Sequence, residues 1–545
     1  MGKIIETRQC KKCQTIFNIE EKDDVFYKKI NVSYPTFCPS CREIRRLIYR
    51  NERNLYHRKC DLTGKSIISI YSSDKPYKVY QKDAWFGDSW DPLEYGMDFD
   101  FNKSFFEQFN ELLLKTPHPA AGFNAENENC EYCTYQNHSK NCYLTFGSGW
   151  MEDCAYTSWT YHAKDSYDCT GSHHLELCYE ITDCDRMYGC KYCQDCSDLT
   201  DCSFCYDCHS CKNCFCCAGI RRKEFCIYNE QLSKEEYLEK IKNIDQKYAF
   251  QQIQNVKIKI PHKYCFQLNC ENSEGDHLLN CKNVHQCFQD RGSEDCKFSS
   301  GIIENKDSYD CNRTGLDELC YEVCGGGFHY NNLFCVAGGN LKDSFYTFTC
   351  FNSDHLFGCV SLKRNKYCIL NKQYSKEEYE ILVPKIIEHM KKTGEWGEFF
   401  PTEISPFCYN ETLVNDYYPL TEGQAVASGY QWKEKDEKEY LPQKINFPED
   451  ISEIDDTILN EIFACKDCGK NYKIIGPELE FYKKLNIQIP HRCPDCRHKN
   501  RLILRNPHKL YERKCNKCGS IIKSTYSTDR SEIVYCEKCY LETII

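Results

Sequence analysis

Between residues 130 and 226, small and apolar side chains return at every third position. Cys130, Cys133, Cys142, Cys154, Cys169, Cys178, Cys184 and Cys190 are separated by multiples of three. The series continues through Cys193, Cys196, Cys202, Cys205, Cys208, Cys211, Cys214, Cys217 and Cys226, and only Cys216 leaves it. Other residues in the frame are mostly small or apolar, among them Ser139, Thr145, Ser148, Met151, Leu175, Ile181 and Leu199. Gln136 and Lys223 are its large polar members. A period of three fits neither the 3.6-residue turn of an α-helix nor the alternation of a half-buried strand. It predicts a narrow parallel β-solenoid whose short coils turn one small side chain inward from each edge. A sub-series at 130, 142, 154, 178, 190, 202, 214 and 226 points to coils of about twelve residues, although lags of nine and fifteen also occur.

The pattern is duplicated. KDSYDC at 164–169 returns at 306–311, LCYE at 177–180 at 319–322, and SKEEY at 233–237 at 375–379, all at an offset of 142. Two tandem blocks follow, 125–245 and 246–390 with their closing helices, as repeat architectures that stack coil on coil require capped ends. Ser233–Glu236 and Ser375–Glu378 read as capping boxes opening a helix after each block. Ahead of the first block, 101–124 reads as a capping helix and linker, in which 102–114 is an Asn-capped amphipathic helix with Phe105, Phe106, Phe109 and Leu113 on its apolar side. The second block also tests what the cysteines do. Cys184, Cys190, Cys202, Cys205, Cys211 and Cys214 become Gly326, Asn332, Ser344, Thr347, Ser353 and Leu356. Mostly small replacements indicate that volume is the constraint, so thiol packing is favoured over a metal cluster or disulfides for 190–217.

The chain ends carry a different duplication, at an offset of 455. Cys10-x2-Cys13 and Cys38-x2-Cys41 match Cys465-x2-Cys468 and Cys493-x2-Cys496, and LYHRKC at 55–60 matches LYERKC at 510–515. Paired CxxC knuckles suit a closed tetrahedral zinc site, which leaves no open coordination position for catalysis. Zinc ribbons are therefore predicted at 1–60 and 465–514, with a second C-terminal ribbon at 515–545 built on Cys515, Cys518, Cys536 and Cys539. In the N-terminal copy of that second ribbon, 61–100, the same frame holds Cys60, Thr63, Gln81 and Ala84. Three of four ligands are gone, so packing is expected to hold it without metal. Three structural zinc ions are the cofactor expectation.

Charge divides the chain in the same way. Residues 1–60 carry 14 Lys and Arg against 7 Asp and Glu, and 465–545 carry 17 against 9, although the whole chain is at −11. Two basic ends flank an acidic body. After each second knuckle, Arg42, Arg46, Arg50 and Arg58 recur as Arg497, Arg501, Arg505 and Arg513. Arginines four apart share one side of a helix, and their planar forks suit phosphate, so these eight are candidate polyanion-binding residues. A nucleic acid or other polyanion, or a protein, is the expected partner. The alternative is that the positive charge balances the zinc–thiolate centres and faces water. The segment 391–464 reads as an acidic connector.

The start lacks the apolar core of a signal peptide, and no apolar run reaches the roughly 18 residues of a membrane span. With 44 cysteines, the chain is expected to stay in a reducing intracellular compartment, either the cytoplasm or, if viral, a virion. The zinc knuckles, the LYxRKC joint, the KNCYL and LCYE rungs and the SPFCYNET connector together resemble an uncharacterised cysteine-rich family of candidate-phylum bacteria and giant viruses. That resemblance implies a shared architecture and no established activity.

The expected fold is thus mainly β, with two solenoid blocks, capping helices and terminal zinc ribbons. The expected function is a non-enzymatic scaffold, for no catalytic set is recognisable. The alternatives are metal storage in the solenoid and, less favoured, a hydrolase using Asp165, Asp168 and Glu180 with their repeats Asp307, Asp310 and Glu322.

Overall fold

The computed structural model describes residues 2–122, 126–244, 248–434, 439–445, 447 and 450–544. It is mainly β, with a solenoid of about 20 coils in two blocks. Coils have twelve residues, as where Tyr161 pairs in parallel with Gly149 below and His173 above and Leu333 pairs with Tyr321 and Phe345, except that the first coil of the second block has eleven, Gln267 pairing with Leu278. The lags of nine and fifteen have a simple origin. A coil has four sides of three residues, so any multiple of three returns to an inward position.

The corners explain how so tight a turn is made. Every third residue stands in the left-handed region, as Asn129, Tyr132, Tyr135 and His138 do at φ 49–55° around one coil. Such a conformation costs an L-residue roughly 1–2 kcal/mol, and Asn and Asp bear it best. Many corners are Asn or Asp, and they hydrogen-bond up the stack. Asn129 Nδ2 donates to Asn141 Oδ1 and Asn141 Nδ2 to Asp153 Oδ1, each at 2.9 Å. Aromatic corners stack instead, as in His138, Trp150, His162 and His174, with successive ring centroids 5.0–5.1 Å apart.

Inside, the thiols form a ladder. Cys196 Sγ donates toward the carbonyls of Gln194 at 3.2 Å and Cys205 at 3.5 Å, one in its own coil and one nine residues on. Cys193, Cys202 and Cys208 repeat the geometry. Burial pushes the Cys154 and Cys178 thiols up to about 12, which keeps them protonated donors. Cysteine suits this wall because it is small and largely apolar yet can donate to a carbonyl.

Both blocks end in an antiparallel return and a helix, Lys234–Lys242 and Lys376–Thr393. Ser233–Glu236 and Ser375–Glu378 form the expected capping boxes. The helix before the first block runs Phe105–Lys115, and its cap is Ser104 rather than Asn102. Ser104 Oγ stands three residues before the Glu107 amide and accepts from it at 3.2 Å, whereas Asn102 is bound to Asp100.

The two blocks lie side by side and run in opposite directions. Trp159 meets Arg313, Asp185 meets Arg291, and Asp195 meets His277. The terminal modules dock crosswise. The N-terminal helix Pro39–Leu47 packs on Tyr309–Gly315 and Tyr321–Cys324 of the second block. The C-terminal helix Pro494–Ile503 packs on Tyr167–Thr170 and Tyr179–Thr182 of the first. Stacked rings seal both contacts: Phe26 on Tyr309 at 3.9 Å, and Phe481 on Tyr167 at 4.1 Å.

The expected connector is partly core. Trp396, Phe399, Phe400 and Phe407 are buried in the N-terminal cluster, and Leu413 and Val414 pack on Leu47 and Ile48. Apolar content, not charge, governs its first half. Of its acidic stretch, 435–438 and 448–449 lie outside the described residues. The degenerate ribbon keeps its hairpin, Tyr56–Lys59 with Ser66–Ser69, matching Tyr511–Lys514 with Ile521–Ser524.

Candidate metal centres and their docking clamps

Each first knuckle is a tight turn closed by an amide-to-carbonyl bond, Gln14 to Cys10 at 3.0 Å and Gly469 to Cys465 at 2.9 Å. The residue after the second cysteine is left-handed there, which Gly469 adopts without a Cβ clash. Each second knuckle opens a helix: Cys38 and Cys493 are the caps, with Pro39 and Pro494 at the first helical position. Cys41 and Cys496 follow in the first turn.

Three groups of four result: Cys10, Cys13, Cys38 and Cys41; Cys465, Cys468, Cys493 and Cys496; Cys515, Cys518, Cys536 and Cys539. Sulfur pairs across the knuckles lie 3.6, 3.7 and 3.8 Å apart. A tetrahedron of metal–sulfur bonds about 2.3 Å long has edges of about 3.8 Å, so the spacing fits a bound ion. Hydrogen bonding from the Cys41 thiol draws Cys38 down to about 6, and Ser520 does the same for Cys518. At the fourth position Cys60 Sγ accepts from the Thr63 and Gln81 amides at 3.4 and 3.2 Å, much as Cys515 Sγ accepts from the Cys536 amide at 3.3 Å in the intact group.

The arginines correct the sequence reading. Arg42, Arg46, Arg50, Arg497 and Arg501 are at most 4% exposed, so they do not present their forks to a polyanion. Arg46 Nη1 reaches Asp310 at 2.9 Å and Glu322 at 3.1 Å. Its counterpart Arg501 reaches Asp168 at 2.8 Å and Glu180 at 3.3 Å. Arg42 and Arg497 add bonds to the same aspartates, and Arg505 grips Asp183 at 2.7 and 2.9 Å. Arg50 pairs with Glu52 at 2.5 Å, because Gly325 replaces the aspartate in the second block. Arg58 and Arg513 clasp loop carbonyls within their own ribbons. The recurring carboxylates considered for hydrolysis are therefore the counter-charges of the docked modules. Asp165 and Asp307 likewise pair with Lys484 and Lys29.

A fourth group, Asp183, Asp195 and His277, was missed in the sequence, although Asp183, Asp195 and Asp207 are spaced by twelve. Its charge is internally balanced. Against the cost of burial, Asp276, Asp183 and Asp195 hold the His277 imidazolium up to about 10, and Arg505 neutralises Asp183.

Fold and site define a class: a cysteine-walled β-solenoid clamped by terminal four-cysteine modules that could hold metal ions. No family model and no curated protein matches the chain. Among solved structures, one described as "putative acetyltransferase from Desulfovibrio desulfuricans G20" aligns with 48% of this chain and 72% of its own, at 8% identity. Its TM-score of 0.10 carries no argument about fold or activity. No helix among the described residues is long and apolar enough to cross a membrane.

Proposed function

We propose that the protein is an intracellular scaffold held in shape by three structural zinc ions, with terminal modules that serve architecture rather than chemistry. The observation that carries this reading is the crosswise docking, in which the first four-cysteine module of each end presents buried arginines to carboxylates of the opposite solenoid block. Soft thiolate donors in closed sets of four favour zinc over harder ions. Described cysteines held as thiols without disulfides suit a reducing compartment. Partner contact, whether protein or polyanion, falls to exposed lysines such as Lys466, Lys499, Lys509 and Lys514. Salt titration of RNA and DNA binding tests the polyanion branch: affinity through phosphates falls steeply with salt, whereas salt-insensitive or absent binding leaves a protein partner.

A further inference from the structure

Between the first block, the start of the second and the last helix lies a cavity of about 460 Å³, lined in part by Ser197, Asp207, His209, His277, Arg291 and Tyr540. Its size is that of small-molecule sites. Three of these side chains are joined in series. Ser197 Oγ lies 2.6 Å from His209 Nδ1, and His209 Nε2 lies 3.0 Å from Asp207 Oδ1. Asp207 is 2% exposed and is fixed by Arg221 Nη2 at 2.8 Å and by the Tyr540 hydroxyl. Stacking of coils alone places Ser197 beside His209, for they are twelve residues apart and bridge adjacent coils. It does not require the second imidazole nitrogen to be held by a buried carboxylate, nor the series to open on a cavity.

The duplicated half of the molecule provides the comparison. At the offset of 142, Ser197, Asp207 and His209 correspond to Gly339, Thr349 and Phe351; at the offset of 455, Tyr540 corresponds to Trp85. There Trp85 packs edge-on against Phe351, with centroids 5.9 Å apart, and is fully buried. That place is also a cavity, of about 290 Å³, in which Trp85 and Phe351 stand where Tyr540 and His209 stand in the other half. The fold therefore keeps the cavity but does not demand the polar series.

We propose that Ser197, His209 and Asp207 are the nucleophile, the base and the positioning carboxylate of a hydrolytic site for a carboxylic ester. With Nε2–H donated to Asp207, Nδ1 is free to accept the Ser197 proton as Oγ bonds to the ester carbonyl carbon. The carbon–oxygen bond to the leaving alcohol breaks, and that oxygen takes the proton from Nδ1. Water, deprotonated by the same nitrogen, then adds to the acyl carbon, the acyl–Ser197 bond breaks as Oγ takes that proton back from Nδ1, and the carboxylic acid is released. Arg291, paired with Asp185 at 3.4 Å, also lines the cavity. The site takes Tyr540 from the last helix of the C-terminal module and so rests on the docking of that module, whereas Ser197, Asp207 and His209 all belong to the first block.

A fluorophosphonate probe tests this on the full metal-loaded chain, with peptide mass spectrometry to locate the adduct. The expected result is phosphonylation at Ser197 with loss of fluoride, absent in Ser197→Ala. It should slow at least 100-fold in His209→Ala and be restored there by added imidazole, which a merely structural histidine would not permit. Far-ultraviolet dichroism and metal content of His209→Ala report its folding, and His209→Gln serves if that variant fails. An unlabelled Ser197 in the folded wild-type chain, or equal labelling in the folded histidine variant, overturns the proposal.

Discussion

Arg501 and Asp168 meet at 2.8 Å with neither side chain more than 1% exposed, and Arg46 and Asp310 meet at 2.9 Å in the same way. The first pair joins the C-terminal module to the first block, and the second joins the N-terminal module to the second block. Removing one partner strands a buried charge, which costs about 3–5 kcal/mol, while replacing both by apolar residues is often neutral. Arg501→Ala and Arg46→Ala should each lower unfolding stability by about that amount in denaturant titrations. Because Asp168 also holds Arg497 and Arg501 also holds Glu180, Arg501→Met combined with Asp168→Leu should not restore full stability but should lose less than the sum of the two single variants. Additive damage in the double variant would separate the two residues energetically.

The inward wall makes a second prediction. Cys202 Sγ donates to the Thr200 carbonyl at 3.3 Å, and its counterpart Ser344 Oγ donates to Lys342 at 2.8 Å. Cys202→Ser should therefore cost no more than about 1 kcal/mol, since serine at this rung keeps the bond. Cys202→Leu should cost about 1–3 kcal/mol by overpacking a four-sided coil. Thermal melts of the two variants under reducing conditions distinguish them, and equal loss would contradict volume as the constraint.

These elements also show what the sequence could reveal. Period three and its twelve-residue sub-series were legible because coil closure repeats the same inward geometry. The left-handed corners were not, since Tyr132, Trp150 and Phe204 occupy them beside Asn and Asp. Both members of the Arg501–Asp168 clamp were visible as repeats, one at each offset. Their meeting was hidden because docking is long-range and crossed, and nothing local indicates which block a module will cover. The series Ser197, Asp207 and His209 was hidden for a related reason: only stacking of adjacent coils brings it together.

Buried acids in the second block set a pH dependence. Burial pushes Asp290 and Asp317 up to about 7, against about 3.9 in an unfolded chain. The folded state then holds protons that the unfolded state has released, so stability falls as pH rises from about 4 to about 7 and levels off above. In Asp290→Asn one of these titrations is gone. Its unfolding free energy should drop less than that of the wild type between pH 5.5 and 8, by roughly 2 kcal/mol. Parallel curves for the two proteins would contradict a raised Asp290.

The account rests most directly on three occupied four-cysteine centres, and elemental analysis of the reduced full-length chain measures them. It predicts three zinc ions per chain, still three in Cys60→Ser, and two in Cys515→Ser. A count well above three would move metal into the solenoid wall. A metal-free chain that remains folded would contradict the claim that these centres hold the terminal modules in shape.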